Sequence, residues 1–334
     1  MAKDVKVVIN LAKPVTSAGF GFPLIMQGKA TKAIPYTECA DIDEVITAVG
    51  DKESPIYKAA LLMLMQDTAP EKVAVCASTE ATTTALASIM HHGWRQLVVV
   101  SGDGDDTAKA ISDYIEADGK KMYFTSVADK AALETAAFAE NDRTVVLVHD
   151  DEDDTITHPE AALVGATAGK KAGSFTYMHK TLKGLTPKVL SPTELAEIHE
   201  LNGIAYVLAS GDGVTSEGIC ASGEYVDIVD SKDYVVQNME YRIEKLLHSL
   251  DKIPYDNTGI TMLENVCFDV LQDAANNGII AVTDDGVPDF SVSFKTRSQT
   301  KDSDRVARRY MEGAFRFALA GAIHSVEITG TIEV

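Results

Sequence analysis

Three short stretches of the 334-residue chain carry residue types that do chemistry. "SGDGDD" (Ser101–Asp106) follows an apolar run and precedes a helical pattern, the position used by phosphate-binding loops. It lacks the lysine of a P-loop and the G-x-G-x-x-G spacing, and its aspartates repel phosphate, so it reads as a helix-capping loop. "SGDGVTSEG" (Ser210–Gly218) has the same composition and the same defect, and reads as a tight turn. "HDDEDDT" (His149–Thr155) ends a strand-like run, where open α/β sheets place their sites. Its consecutive carboxylates suit Mg²⁺ or Ca²⁺, but EF-hand spacing is absent and a block of like charge is ordinarily a solvated loop. In "MHHGW" the adjacent His91 and His92 do not share a helix face, so they form no two-histidine metal clamp. No G-x-S-x-G, H-E-x-x-H or cysteine-nucleophile motif is present. The chain is read as a non-enzyme with no metal and no cofactor. An α/β enzyme holding a metal or ligand on the acidic loop is the opposing reading, and stoichiometric binding by a discrete oligomer would mark it.

The remaining charged feature is basic. A helix is expected over about 303–320, and at 100° per residue it gathers Arg305, Arg309, Glu312 and Arg316 into one stripe with Arg308 beside it. Val306, Tyr310, Ala314 and Phe317 lie on another face, able to pack on the body. Lys295, Arg297 and Lys301 add to the cluster. One outcome is local pairing with Asp and Glu on a solvated face. The other is a docking surface, since the chain as a whole is formally −20.

These features need elements to position them. From about Ala33 to Val236 continuous apolar runs alternate with helical patterns: "KVAVCAS", "RQLVVVSGDG", "KMYFTSV" and "RTVVLVHD" as strands, each followed by a helix. That alternation predicts a mainly parallel α/β sheet. "DIDEVITAVG" is expected to be a helix capped by Asp41 and ended by Gly50, and "SPIYKAALLMLMQ" one that starts at Ser54–Pro55. "IAYVLAS" and "EYVDIVD" are read as later strands. Beyond about Gln237 the pattern becomes α+β: two long helices, a hairpin around Asp284–Pro288, the basic helix and a final strand.

A charge of −20 disfavours nucleic acid and anionic membrane surfaces, and no apolar run approaches a membrane span. Cys39, Cys76, Cys220 and Cys267 are scattered with no C-x-x-C pair, as expected of buried reduced thiols. The N-terminus has no secretory pattern, and synthesis in the cytoplasm is expected.

Both ends read as strands. Val5, Val7, Ile9 and Leu11 alternate with mostly polar neighbours, and Val326, Ile328, Ile332 and Val334 alternate with Glu327, Thr329, Thr331 and Glu333. Such strands need partners, either each other within one domain or another chain.

The final "RVARRYMEGAFRFALAGAIHSVEITGTIEV" resembles the tail sheath proteins of contractile-tailed phages and R-type bacteriocins, that is, of contractile injection systems. "DYVVQNMEYRIEKLLHSL", "YTECADIDEVITAVGDKESPIYKAALLMLMQ" and "AALVGATAGKKAGSFTYMHKTLKGL" are similar to that family's C-terminal entry, paired helices and middle segment. The chain departs from larger members in having no large insertion. The resemblance implies an α/β body plus an α+β C-terminal domain, with extended strand arms that augment neighbouring subunits. The implied division is an arm and linker over 1–20, an α/β outer domain over 21–236 and a C-terminal sheath domain over 237–334. That last domain includes a tube-facing helix and an arm strand over 325–334. It implies a helical homopolymer around an inner tail tube, built with baseplate and tail terminator proteins, without nucleic acid or membrane insertion, in a virion tail or bacteriocin particle. Arg305, Arg308, Arg309 and Arg316 are the implied tube contacts. A baseplate component of the same fold is the alternative within this resemblance.

Overall fold

A computed structural model describes residues 20–100, 105–136, 138, 140–150 and 157–325 of the chain. The body runs β1 (Leu24–Gln27), β2 (Ile34–Cys39), α1 (Ile42–Val49), α2 (Pro55–Leu64), β3 (Val73–Ala77), α3 (Thr82–Ile89), β4 (Gln96–Val99) and α4 (Asp105–Asp118). It continues with β5 (Met122–Val127), α5 (Lys130–Ala136), β6 (Thr144–Val148), α6 (Glu160–Ala168), α7 (Pro192–Glu200), β7 (Ile204–Ala209) and β8 (Asp212–Thr215). The strands form one sheet in the order β2-β3-β1-β4-β5-β6-β7-β8. All neighbours from β3 to β7 are parallel, and the edge strands β2 and β8 are antiparallel to theirs. The central strands are buried along their whole length, as in Val73–Ala77 and Thr144–Val148, because helices cover both faces. Asp41 accepts from the Glu44 backbone N–H at 2.9 Å, the Glu44 carboxylate accepts from the Ala40 N–H at 2.7 Å, and Gly50 closes α1 at φ +80.

Two expectations fail in the last third. "EYVDIVD" is not a strand: it opens α8 (Val226–Ser249), a single helix that crosses residues 236–237 from the body into the C-terminal region. Its helical period is masked in the sequence because Asp230 and Asp233 face inward, where an apolar residue would ordinarily mark the buried stripe.

The basic helix over 303–320 is also overturned. After α9 (Asn257–Asn276), β9 (Phe290–Phe294) leads to α10 (Asp302–Val306), a helix of five residues, and then to β10 (Gly313–Phe317). Arg308, at φ +54, turns the chain out of helical conformation, and the alternation Phe315, Phe317 against Ala314, Arg316 is a strand period. The expected turn at Asp284–Pro288 is present, with Thr283 N–H donating to the Val287 carbonyl at 2.9 Å.

β9 and β10 form an antiparallel two-stranded sheet under α9, with Phe290, Val292, Phe294 and Phe317 packed on Cys267, Val270, Leu271 and Ala274. This second core is distinct from the clusters around the large sheet.

Candidate assembly surface

The β9–β10 hairpin is built around Gly313. A Cβ there would lie 2.7 Å from the Phe294 ring, which is itself stacked on Tyr310 at 5.5 Å between centroids. The Tyr310 hydroxyl donates to the Lys295 carbonyl at 2.8 Å and ties the turn back to β9. Gly313→Val is therefore expected to destabilise the hairpin by about 1–3 kcal/mol, the usual cost of overpacking. Loss of the near-ultraviolet circular dichroism of the Phe294–Tyr310 stack before global unfolding would report it.

Lys295 N–H donates to the Glu312 carbonyl and Ala318 N–H to the Asp289 carbonyl, which fixes the alternation of the ladder between them. Val292 and Phe294 on β9, and Gly313, Phe315 and Phe317 on β10, consequently direct their backbone groups away from each other. Neither outer edge has a partner strand among the described residues. The same residues share one apolar face, which is incompletely covered: Phe315 is 44% exposed and Phe268 of α9 is 48% exposed. The arm residues Val5, Val7, Ile9, Leu11, Val326, Ile328, Ile332 and Val334 lie outside the described residues.

The four arginines read from the sequence do not form a stripe. Arg305 is consumed locally: it pairs with Asp302 and donates to the Thr300 backbone and to the Arg297 carbonyl at 3.2 Å. Arg316, on β10, forms a two-pronged pair with Asp289 at 3.0 and 3.4 Å. Arg308 and Arg309 are exposed in the turn and form no ion pair among the described residues. Beside them Val306 is 84% and Met311 68% exposed. The Tyr255 hydroxyl donates to the Arg309 carbonyl at 3.0 Å and Arg297 Nε to the Tyr255 carbonyl at 3.1 Å, so this basic and apolar turn is braced against the α8–α9 connection.

Sequence reading missed the charged cluster that joins the two cores. Arg95, at the foot of β4, donates through Nη2 to Asp230 Oδ1 at 2.6 Å, and its Nη1 pairs with Asp233 Oδ2 at 2.9 Å. Arg143, before β6, grips Asp233 with both nitrogens at 2.7 and 2.9 Å. The Tyr177 hydroxyl donates to the other Asp230 oxygen at 2.9 Å, and the Phe20 ring covers Arg95 at 4.2 Å. All four charged side chains are nearly or fully buried. Burial alone would lower the Arg95 pKa, but Asp230 and Asp233 outweigh it and keep the guanidinium charged. Burial and then the Asp230 charge push the Tyr177 phenol well up, so it remains a donor. The spacing Asp230–Asp233 on one helix face was the available signal, and the two arginines that answer it lie far away in sequence.

Near the end of the described residues, His324 Nε2 lies 3.0 Å from the Thr176 hydroxyl and its ring meets Tyr225 edge-on at 4.9 Å. The acidic loop is outside the described residues from 151 to 156; Asp150 before it pairs with Lys188. Among the described residues no group of three or more His, Cys, Asp or Glu is placed to hold a metal, and no helix is long and apolar enough to cross a membrane.

Residues 226–332 match the sequence profile described as E217 tail sheath protein gp31-like, C-terminal domain. No curated protein sequence matches the chain. Among solved structures, a chain of the anti-feeding prophage baseplate superposes with a TM-score of 0.75 at 12% identity, covering 100% of both chains. A sheath subunit of an extracellular contractile injection system, in the contracted state, also gives 0.75 at 12% identity, covering 100% of this chain and 98% of the other. The contracted helical sheath of the anti-feeding prophage gives 0.74 at 10% identity over 99% of each. The fold of the whole chain is thus that of contractile sheath proteins, and the tail-sheath profile falls on its C-terminal third.

Proposed function

We propose that this chain is a structural, non-catalytic subunit of a contractile sheath, which polymerises helically around an inner tube and contracts to drive it through a cell envelope. The observation that carries the reading is the hairpin with both outer edges unpaired among the described residues and an incompletely covered apolar face, set in the segment that matches the tail-sheath profile. The arms Val5–Leu11 and Val326–Val334 have the alternation to extend that ladder, one on each edge of a neighbouring copy, with their apolar side continuing the layer under α9. A contact of this kind does not close on itself and so grows into an open helical polymer. Backbone pairing also survives reorientation of the bodies provided the chain bends around Ser17–Gly21 and beyond Ala320, since Ala318 and Ala320 are themselves hydrogen-bonded to residues 279–281. Free energy then comes from new contacts between bodies, without nucleotide hydrolysis. Partners under this reading are further copies, the inner tube, the baseplate and a tail terminator, in a virion tail or bacteriocin particle assembled in the bacterial cytoplasm.

Negative-stain electron microscopy of the full chain beside a version ending at His324 tests it. Striated tubes are expected from the full chain alone. Small discrete particles from both, at high concentration and with tube protein present, would sink the sheath reading. The superposition on a baseplate chain supports one second reading, a baseplate component of the same fold, which a low copy number per particle would identify.

A further inference from the structure

Two turns at the ends of the β9–β10 hairpin carry opposite charge beside exposed apolar side chains. In the first, before β9, Gly286 at φ +78 donates its N–H to the Thr283 carbonyl at 2.8 Å, and the Val287 N–H donates to the Thr283 hydroxyl at 3.3 Å. This closed turn presents Asp284 and Asp285 to solvent between Val282, 60% exposed, and Val287, 59% exposed. Asp289, which follows, is answered by Arg316, whereas Asp284 and Asp285 form no ion pair among the described residues. The second turn, before β10, offers Arg308 and Arg309, likewise unpaired among the described residues, between exposed Val306 and Met311. Arg305 beside them is spent on Asp302. The two turns match in kind, a pair of like charges flanked by two exposed apolar side chains, and they are opposite in sign.

The register of the hairpin keeps them apart. Phe290 pairs with Phe317 and Phe294 with Gly313, so the turn that enters β9 and the turn that enters β10 lie at opposite ends of the ladder. α9 gives the same result. Tyr255, just before its start, holds the Arg309 carbonyl. Ile279, just past its end, donates to the Ala274 carbonyl and accepts from the Ala320 N–H. Twenty helical residues separate the two points, about 30 Å. Neither turn can neutralise the other within one copy. At a net charge of −20, copies repel each other unless complementary patches meet. An acidic turn flanked by valines is the complement of the basic turn, and every further copy brings one.

We propose that the basic turn, residues 306–311, is a docking surface for the acidic turn, residues 282–287, of a second copy of this chain. Arg308 and Arg309 meet Asp284 and Asp285, and the four flanking apolar side chains pack between them. Because the two turns sit at opposite ends of one hairpin, the contact is heterologous and runs head to tail along a polymer. It rests on the sheath reading and adds to it a contact through the ends of the hairpin, whereas the arms are expected at its edges. Two turns bury far less than the roughly 800 Å² per partner of a stable complex, so the contact forms within an assembly and not between free subunits. Its charges are screened beyond about 8 Å at physiological salt, which makes it salt-sensitive. The inner-tube contact expected of Arg308 and Arg309 uses the same turn, so tube and second copy compete for it.

The test mixes two full-length variants, Asp285→Cys and Arg309→Cys, in tubes formed without inner tube; the four natural cysteines are buried. A short thiol cross-linker is expected to join one variant to the other and neither to itself. Tubes without that cross-link, or with either variant joined to itself, would overturn the contact and leave the sheath reading standing. Failure of the natural chain to form tubes would overturn both. In parallel, Asp284→Arg with Asp285→Arg is expected to lower tube yield at least tenfold. Adding Arg308→Asp and Arg309→Asp to the same chain is expected to restore it; aspartate tolerates the left-handed backbone at 308. Unchanged yield after the first pair, or loss without restoration, would also overturn the contact, and circular dichroism confirms that each variant is folded.

Discussion

Asp230→Ala is expected to cost about 3–5 kcal/mol of stability, the usual penalty for stripping one partner from a buried ion pair. Arg95 stays 4% exposed at the side chain and keeps the Lys120 carbonyl and a single carboxylate, Asp233, which Arg143 already holds bidentately. The buried Tyr177 hydroxyl loses its acceptor as well. A conservative pair of controls separates charge from packing. Asp230→Asn keeps the shape and an acceptor oxygen and is expected to recover part of the loss. A double variant that removes Arg95 and Asp230 together, with apolar replacements of similar volume, is expected to be less damaging than the sum of the single changes. Urea denaturation below the assembly concentration reads all three. Near-natural stability of Asp230→Ala would show that solvent enters the cluster and that α8 is held by its apolar contacts alone.

The second large effect concerns the turn after α10. Under the sheath reading, Arg308→Glu with Arg309→Glu is expected to weaken co-sedimentation with inner tube by roughly 30-fold, about 2 kcal/mol over both sites. These are the two arginines of the predicted four with no local carboxylate among the described residues. Arg305→Glu and Arg316→Glu act differently, because Arg305 braces the Thr300 and Arg297 backbone and Arg316 holds Asp289. Those changes are expected to lower the hairpin's melting temperature first and tube binding only as a consequence. Unchanged binding after the double reversal at 308 and 309 would remove the turn from the tube interface.

Much of the body was legible because its strands are buried on both faces and stand out as apolar runs, as in Val73–Ala77 and Thr144–Val148. Asp41 and Gly50 marked α1 at both ends by local chemistry alone. The edge strand β2 went unseen: only Cys39 of its six residues is buried, and Pro35 and Glu38 give it the look of a loop. β8 was read as part of a turn, and Ser210–Gly211 does turn the chain, but the four residues after it pair back on β7. The larger errors share one cause, polar residues facing inward or tied down locally. Asp230 and Asp233 concealed the first half of α8, and the charge density around Arg305 and Arg309 imitated a continuous basic helix. Gly313 and the Phe315–Phe317 alternation were the signal that it breaks into a strand. Whether a charge is free or already spent is a tertiary fact, which is why Arg308 and Arg309 could not be told from Arg305 and Arg316 by spacing.

Between Val226 and Ser249, α8 contains neither Gly nor Pro, and its length is about 36 Å. Helices kink at such residues or at inserted groups, and a rod without them transmits turning force instead of absorbing it. One end is clamped to the sheet through Arg95 and Arg143, and the other leads through Tyr255, whose hydroxyl holds the Arg309 carbonyl, into α9 and the hairpin packed on it. A rotation of about 10° at the clamp displaces the far end of a rod of that length by roughly 6 Å, about one helical pitch. Under the sheath reading the subunit is a crank with no clutch: torque taken up by the body is delivered through α8 towards the hairpin.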